Sequence, residues 1–269
     1  MIKIYGEEIT SKRFPDNTAL LKYSIDETKY NFFGYLTITW LYESDEEQIL
    51  LYYLVKHFNR FGLKNIKLFL PYIPNARMDR VKNHEEVFTL KYFAEFINSL
   101  NFCEVYVLDP HSNVSEALIE KIKFFNVEGI IKQKVLYNEK GESKYDYLFF
   151  PDEGSMKRYA NLFKLPYVYG QKVRDWKTGE IKSLDIIGAF EKDKTFIIID
   201  DICSKGGTFF HSAMKLKELG AGDISLYVSH CENTILEGDL INSGFIKKVY
   251  TTNSIFTKQH ELIEIIHTF

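Results

Sequence analysis

Four apolar runs in this chain of 269 residues stop abruptly at turns rich in Asp, His, Arg and Gly. "LFLPY" leads into "IPNARMDR", "VYVL" into "DPHS", "YLFF" into "PDEGS", and "FIII" into "DDICSKGGT". A short apolar run without alternation reads as a strand buried on both faces, the habit of parallel sheets covered by helices. The intervals between the runs carry helices of the right kind. "SDEEQILLYYLVKHFNRFG" has capping-box spacing at Ser44 and Glu47, apolar residues Ile49, Leu50, Tyr53, Leu54 and Phe58 near helical period, and Gly62 as its stop. "TLKYFAEFINSL" with Thr89 as cap, "SEALIEKI", "EGSMKRYANLF" and "TFFHSAMKLKELG", ending at Gly220, repeat the pattern. The spacing predicts strands at "NIKLFLPY", "CEVYVLD", "DYLFFPD", "PYVYG", "TFIIIDD", "DISLYVSH" and, last of all, "IKKVYTTN".

This alternation predicts an α/β fold of mostly parallel sheets flanked by helices. The length suits two such units, and the polar, glycine-bearing stretch "NVEGIIKQKVLYNEKGESKYD" near residues 126–145 is the natural boundary. A net charge of -3 provides no global field for nucleic acid, so none is expected as a partner. The three cysteines, Cys103, Cys203 and Cys231, have no CxxC spacing, which argues against a zinc ribbon or disulfide framework and for a reducing cytoplasm. "MIKIYGEEITSKRF" lacks an apolar core of signal-peptide length, and no run approaches the ~18 apolar residues of a membrane span.

In open parallel sheets, ligands bind beyond the carboxyl ends of the strands, where the four polar turns fall. In "DDICSKGGT", Asp200 and Asp201 end a buried strand, Gly206 and Gly207 permit close backbone approach, and Thr208 opens a helix whose amides favour an anion. Such a loop can hold a phosphate on its amides while the carboxylates take vicinal hydroxyls, as a sugar phosphate requires. A capped helix behind two solvated acids fits the same spacing.

The stretch resembles the ribose-phosphate loop of type I phosphoribosyltransferases and of ribose-phosphate diphosphokinases. The other strand ends choose between these families. "LPYIPNARMDRV" resembles the ATP-binding segment of the diphosphokinases, "VYVLDPHS" and "FFPDEGSMKRYA" resemble the segments that follow it, and "RFPDNTALLKY" resembles the loop that reaches adenine in a neighbouring subunit. The order holds from about residue 10 to residue 255. The resemblance implies two tandem type I phosphoribosyltransferase-like domains, residues 1–130 with the ATP segments and residues 131–269 with the ribose-phosphate loop, the last dozen residues packing back on the first. It implies transfer of the β,γ-diphosphate of ATP to the anomeric hydroxyl of a 5'-phosphorylated ribose, with Mg²⁺ as cofactor, AMP as product, a cytoplasmic location, and a homo-oligomer of two or more chains sharing the ATP site.

By the same resemblance, Arg77 and Arg80 sit by the ATP phosphates, Asp79 holds their loop, and Phe14 and Asp16 contact adenine. His111 sits beside the metal and the phosphates, and Asp152 is the metal-associated acid of the second half. Lys172 and Arg174 have the spacing of the mobile catalytic loop, where cations neutralise charge developing on the phosphoryl group, and "DWKTGE" continues as an exposed flap. Asp200, Asp201, Ser204, Lys205, Gly206, Gly207 and Thr208 hold the ribose phosphate.

The chain departs from the family's pattern at Thr18, where Glu is usual, at Met78, where Gln is usual, and at Pro110. It departs again at Ser204 and Lys205, where Asp and Thr are usual, which removes one negative charge and adds one positive. A pocket for a single terminal phosphate has little need of that change; a 5'-diphosphate does. The acceptor is therefore expected to be ADP-ribose, as in the phage relatives that rebuild NAD⁺, or ribose 5-phosphate. Two alternatives stay open: a phosphoribosyltransferase that consumes PRPP without ATP, and a non-catalytic regulatory homologue.

Overall fold

The computed structural model describes residues 1–25, 30, 34–174 and 181–269, the side chains of 172–174 and 181–183 excepted. The flap expected at 175–180 lies outside the described residues. The chain divides into two units, Met1–Phe125 together with Phe269, and Asn126–Thr268.

The first unit is built on strands β1 (Ile2–Ile4), β2 (Glu7–Glu8), β5 (Leu36–Trp40), β6 (Ile66–Phe69), β7 (Glu104–Val107) and β8 (Ile122–Phe124), in the order β2-β1-β5-β6-β7-β8. β5 to β8 run parallel, while β1 is antiparallel to both of its neighbours. A separate hairpin, β3 (Ser11–Arg13) and β4 (Ala19–Leu21), carries the "FPDNT" turn. The helix Glu46–Arg60 buries Leu51, Leu54, Val55 and Phe58, and the helix Thr89–Ser99 buries Leu90, Phe93, Ala94 and Ile97, all in one core with Leu36, Ile38 and Trp40.

The capping box expected at Ser44 is half present. The helix starts a residue later, with Asp45 at its cap and no side-chain cap bond. Glu47 instead turns inward: its Oε2 accepts the indole N–H of Trp40 at 2.8 Å and the amide of Glu43 at 2.9 Å, with the Ser44 amide at 3.4 Å. A buried indole N–H needs an acceptor, and that demand wins over the reciprocal cap. Thr89 likewise is the first helical residue rather than the cap.

The second unit has a sheet of seven strands: β9 (Tyr147–Phe150), β10 (Tyr167–Arg174), β11 (Ile181–Ile187), β12 (Phe196–Cys203), β13 (Ile224–Cys231), β14 (Lys248–Thr252) and β15 (Ile263–Ile266). Their order is β11-β10-β9-β12-β13-β14-β15, parallel except for the β10–β11 hairpin. β12 shows why "FIII" carries no alternation. Phe196 and Ile198 pack with Phe209, Ala213 and Leu216 of the helix Gly207–Glu218, while Ile197 and Ile199 pack with Leu148, Phe150 and Tyr159 on the other face. Both faces are covered, so every position is apolar.

One strand was not foreseen. β14 is not the last: β15 docks parallel on it, Val249 opposite Ile263. Of the final residues, Ile263–Ile266 thus extend the second sheet, where a return onto the first unit was expected, and Phe269 alone groups with the first unit. "IEII" is too short for its period to be read, and edge pairing decides its state. Among the described residues, no helix is long and apolar enough to cross a membrane.

Glu47→Ala strips the Trp40 indole of its acceptor inside the core. The expected loss is about 1–3 kcal/mol, read as a lower urea midpoint, with Trp40→Phe in the same background removing most of the difference.

Candidate active site

The acids that end β12 have different environments. Successive residues of a strand face opposite sides of the sheet. Asp201 follows Ile197 and Ile199 to the side covered by the helix Glu153–Tyr159, is 5% exposed, and meets Arg158 from that helix: Nη1 donates to Oδ2 at 3.1 Å. Its Oδ1 accepts the amide of Ile202 at 2.9 Å. Asp200 has no ion-pair partner among the described residues; its Oδ1 accepts the amide of Asp201 at 2.9 Å. Burial first, then the charges of Asp201 and Asp152, push the Asp200 carboxyl well above the usual carboxylate range. The two acids are therefore not a matched pair of acceptors. Asp201 is held in a partly buried ion pair, and Asp200 is the one open to a hydroxyl or a cation.

Asp152 serves as the N-cap of the helix that supplies Arg158. Its Oδ1 accepts the Ser155 amide at 3.1 Å, and the Ser155 hydroxyl oxygen accepts the Asp152 amide at 3.3 Å, completing a capping box. That fixes the Asp152 carboxylate within electrostatic reach of Asp200.

Beyond Cys203 the chain turns through Ser204 and exposed Lys205 into Gly206, whose φ of +80° is the left-handed conformation that glycine adopts without strain. Gly206 is the N-cap of the helix Gly207–Glu218 and supplies no side-chain cap. Its carbonyl accepts from Phe210, and the amides that precede Phe210 at the helix start have no carbonyl of their own helix to bond. Gly207 and Thr208 are exposed, and a β-carbon on Gly207 would meet nothing within 4 Å. Lys205 is 68% exposed, with its Nζ 3.9 Å from Glu237.

The first unit holds a cavity of about 310 Å³ lined by Arg77, Met78, Asp79, Arg80, Lys82, Glu86 and His111. The sequence-predicted ATP residues Arg77, Asp79, Arg80 and His111 are brought together here. Asp79 accepts Arg80 Nε at 3.0 Å, which orients the guanidinium, and is itself largely buried. Lys82 and Glu86 were missed by the sequence reading. Glu86 Oε2 accepts the Lys82 amide at 2.7 Å, so it shapes the turn that places Lys82 at the rim. Two residues before His111, buried Asp109 has φ +41° and turns the chain out of the strand.

At the β3–β4 hairpin, Phe14 is 48% exposed. Asp16 Oδ1 accepts both the amide of Thr18 at 3.0 Å and its hydroxyl at 2.7 Å, which lowers the Asp16 pKa. Thr18, the departure from the family's Glu, closes this turn. Lys172 and Arg174 belong by their backbone to the end of β10, next to a register shift at Val173/Arg174, rather than to a loop between strands. Their side chains lie outside the described residues.

Among the described residues, no group of three His, Cys, Asp or Glu could hold a metal alone. Mg²⁺ typically takes one or two carboxylates and completes its shell with water and substrate phosphates. Asp200 with Asp152 fits that kind of shared site: two carboxylates within electrostatic reach, one of them partly buried and without a cation among the described residues.

No protein-family model matches the chain. Curated proteins do match, along most of its length. A ribose-phosphate pyrophosphokinase of Saccharolobus solfataricus is 24% identical over 268 residues, covering 96% of this chain and 88% of the relative. One from Bacillus subtilis is 28% identical over 228 residues, covering 82% and 69%. The chain is similar to ribose-phosphate pyrophosphokinases along most of its length. The crystal structure of a phosphoribosylpyrophosphate synthetase from Mycobacterium smegmatis superposes with a TM-score of 0.73 at 17% identity, over 97% of this chain and 86% of that one, and shows the same fold. The expected α/β fold of mostly parallel sheets flanked by helices is thereby shown.

The raised pKa of Asp200 has a sign that can be tested. A carboxyl whose folded pKa lies above its unfolded value favours folding at acid pH, and this contribution fades as pH rises past the unfolded value. Without divalent cations, Asp200→Asn is therefore expected to be more stable than the unmodified protein at pH 7–8. The advantage shrinks on acidification towards pH 4, as thermal melts across that range would record.

Proposed function

We propose that the protein is an ATP-dependent pyrophosphokinase that transfers the β,γ-diphosphate of ATP to the anomeric hydroxyl of a 5'-phosphorylated ribose, releasing AMP. One observation carries the reading. A glycine turn into a helix N-terminus directly follows Asp200, a partly buried carboxylate without an ion-pair partner among the described residues, in a chain similar to a ribose-phosphate pyrophosphokinase over 96% of its length. The first unit's cavity is the ATP site, Arg77, Arg80 and Lys82 meeting the phosphates. In the second unit, Asp200 takes the ribose hydroxyls, Asp201 is held by Arg158, and Ser204 to Thr208 take the 5'-phosphate. Mg²⁺, when bound by Asp200 and Asp152 with substrate phosphates, supplies charge neutralisation at the transferring group. His111 holds a phosphate in the ATP cavity, and Lys172 and Arg174 neutralise charge as the bond to the β-phosphorus breaks.

Two acceptors are weighed. The names of the curated relatives favour ribose 5-phosphate. The loop's own chemistry favours a 5'-diphosphate such as that of ADP-ribose: Ser204 is neutral, Lys205 is 68% exposed, and Gly207 and Thr208 leave the outer side open. The balance leans slightly to ADP-ribose. A homo-oligomer, in which the exposed Phe14 hairpin reaches a neighbour's adenine, and a cytoplasmic location complete the reading.

Purified protein incubated with ATP, Mg²⁺ and each acceptor in turn is expected to release AMP with ADP-ribose at least as fast as with ribose 5-phosphate. Lys205→Thr should then lower kcat/KM for ADP-ribose selectively, by roughly 10- to 100-fold. Fast turnover with ribose 5-phosphate and none with ADP-ribose would sink the extended acceptor. Pyrophosphate release from PRPP and a base without ATP would instead make it a phosphoribosyltransferase.

Lys172→Ala is expected to lower the rate by roughly 10²–10³-fold, with urea unfolding barely moved. An unchanged rate would remove Lys172 from the mechanism.

A further inference from the structure

The loop that takes the acceptor phosphate does not hold its own shape. The segment that leaves β13 runs through a short 3-10 turn, Asn233–Glu237, into the helical turn Asp239–Asn242, and it meets the loop at Cys203, Lys205 and Gly206. The Glu232 amide donates to the Cys203 carbonyl at 2.8 Å. A β-carbon on Gly238 would lie 1.8 Å from the Lys205 carbonyl oxygen and 2.7 Å from its carbon, a distance no side chain tolerates. One step on, a β-carbon on Gly206 would lie 2.8 Å from Cδ2 of Leu240. The backing segment is itself anchored: Ile235 and Leu240 are essentially fully buried and Ile241 nearly so, in the core shared with Phe209 and Leu216.

We propose that Gly238 is a positioning residue for the acceptor site. Its bare backbone lets the Lys205 peptide sit deep enough to aim the amides of Gly206 to Thr208 at the phosphate and the Lys205 side chain along the loop's rim. The inference rests on the reading of this loop as the phosphate site. Backbone φ at Gly238 is -93°, so an alanine there meets no conformational penalty of its own. The whole effect of a substitution passes through Lys205, which must move outward because the anchored segment behind Gly238 cannot.

Gly238→Ala tests this. With the acceptor that the unmodified protein uses, its KM for acceptor is expected to rise about tenfold or more while the KM for ATP stays within about twofold. The melting temperature should change by only a few degrees. An unchanged acceptor KM in folded Gly238→Ala overturns the inference, and so does an equal rise in both KM values. If Gly238→Ala does not fold, Leu240→Val trims the contact on Gly206 instead. A rise of about two- to fivefold in acceptor KM supports the proposal, and no rise overturns it. Amide hydrogen exchange at residues 205–208 gives a reading that needs no turnover. Faster exchange in either variant supports the backing role and an unchanged rate overturns it, even if neither acceptor is turned over and the proposed function has failed.

Discussion

A carboxylate at the end of a strand buried on both faces is the constraint around which the second unit is arranged. β12 has no solvent-facing side until Asp200, so the acids arrive where water is already scarce. Moving a carboxylate out of water costs several kcal/mol unless something compensates. Arg158 compensates Asp201, and the helix that carries it is pinned at its start by the Asp152 capping box. Asp200 has no such partner among the described residues, and the charge next to it makes matters worse. That imbalance opposes stability in the empty protein. It also makes a site ready for a cation or a pair of hydroxyls, so the cost is met by the ligand on binding.

The first unit shows the opposite charge balance with the same geometry. Its cavity lies beyond the carboxyl ends of β6 and β7, and three of its seven lining residues are Arg or Lys. The acids there are structural: Asp79 orients Arg80, and Glu86 accepts the Lys82 amide. A cluster of cations steadied by second-layer carboxylates suits a flexible polyanion, whose phosphates can share several partial contacts. In each unit the charged groups are set where parallel strands end.

Much of this was legible because parallel strands write their burial directly into the sequence. "FIII" and "YLFF" could be read as central strands from composition alone, and the polar turns that follow them became the site. What could not be read depends on partners distant in sequence. Nothing in "EGSMKRYA" distinguishes Arg158, which turns inward to Asp201, from Lys157, which stays in solvent beside Glu153. The spacing of Ser44 and Glu47 promised a reciprocal cap, but the indole of Trp40 claims the carboxylate. Asp200 and Asp201 looked equivalent because adjacency in sequence hides that a strand sends them to opposite faces. β15 was invisible because four residues carry no period, and only the free edge of β14 makes them a strand.

The phosphate loop separates what fixes it from what tunes it. Its path is set by backbone: a left-handed glycine, a hydrogen bond from the Glu232 amide to the Cys203 carbonyl, and the close approach of Gly238 to the Lys205 carbonyl. None of these uses the side chains of Ser204 or Lys205. Those two positions can therefore change charge without moving the amides at the helix start, to which the proposed function assigns the first phosphate. A loop organised in this way can exchange a monophosphate for a diphosphate acceptor by substitution at its rim, because affinity for the shared phosphate and discrimination beyond it reside in different atoms. The two departures from the family's pattern fall at the positions where this division lets a new preference arise at little cost to the fold.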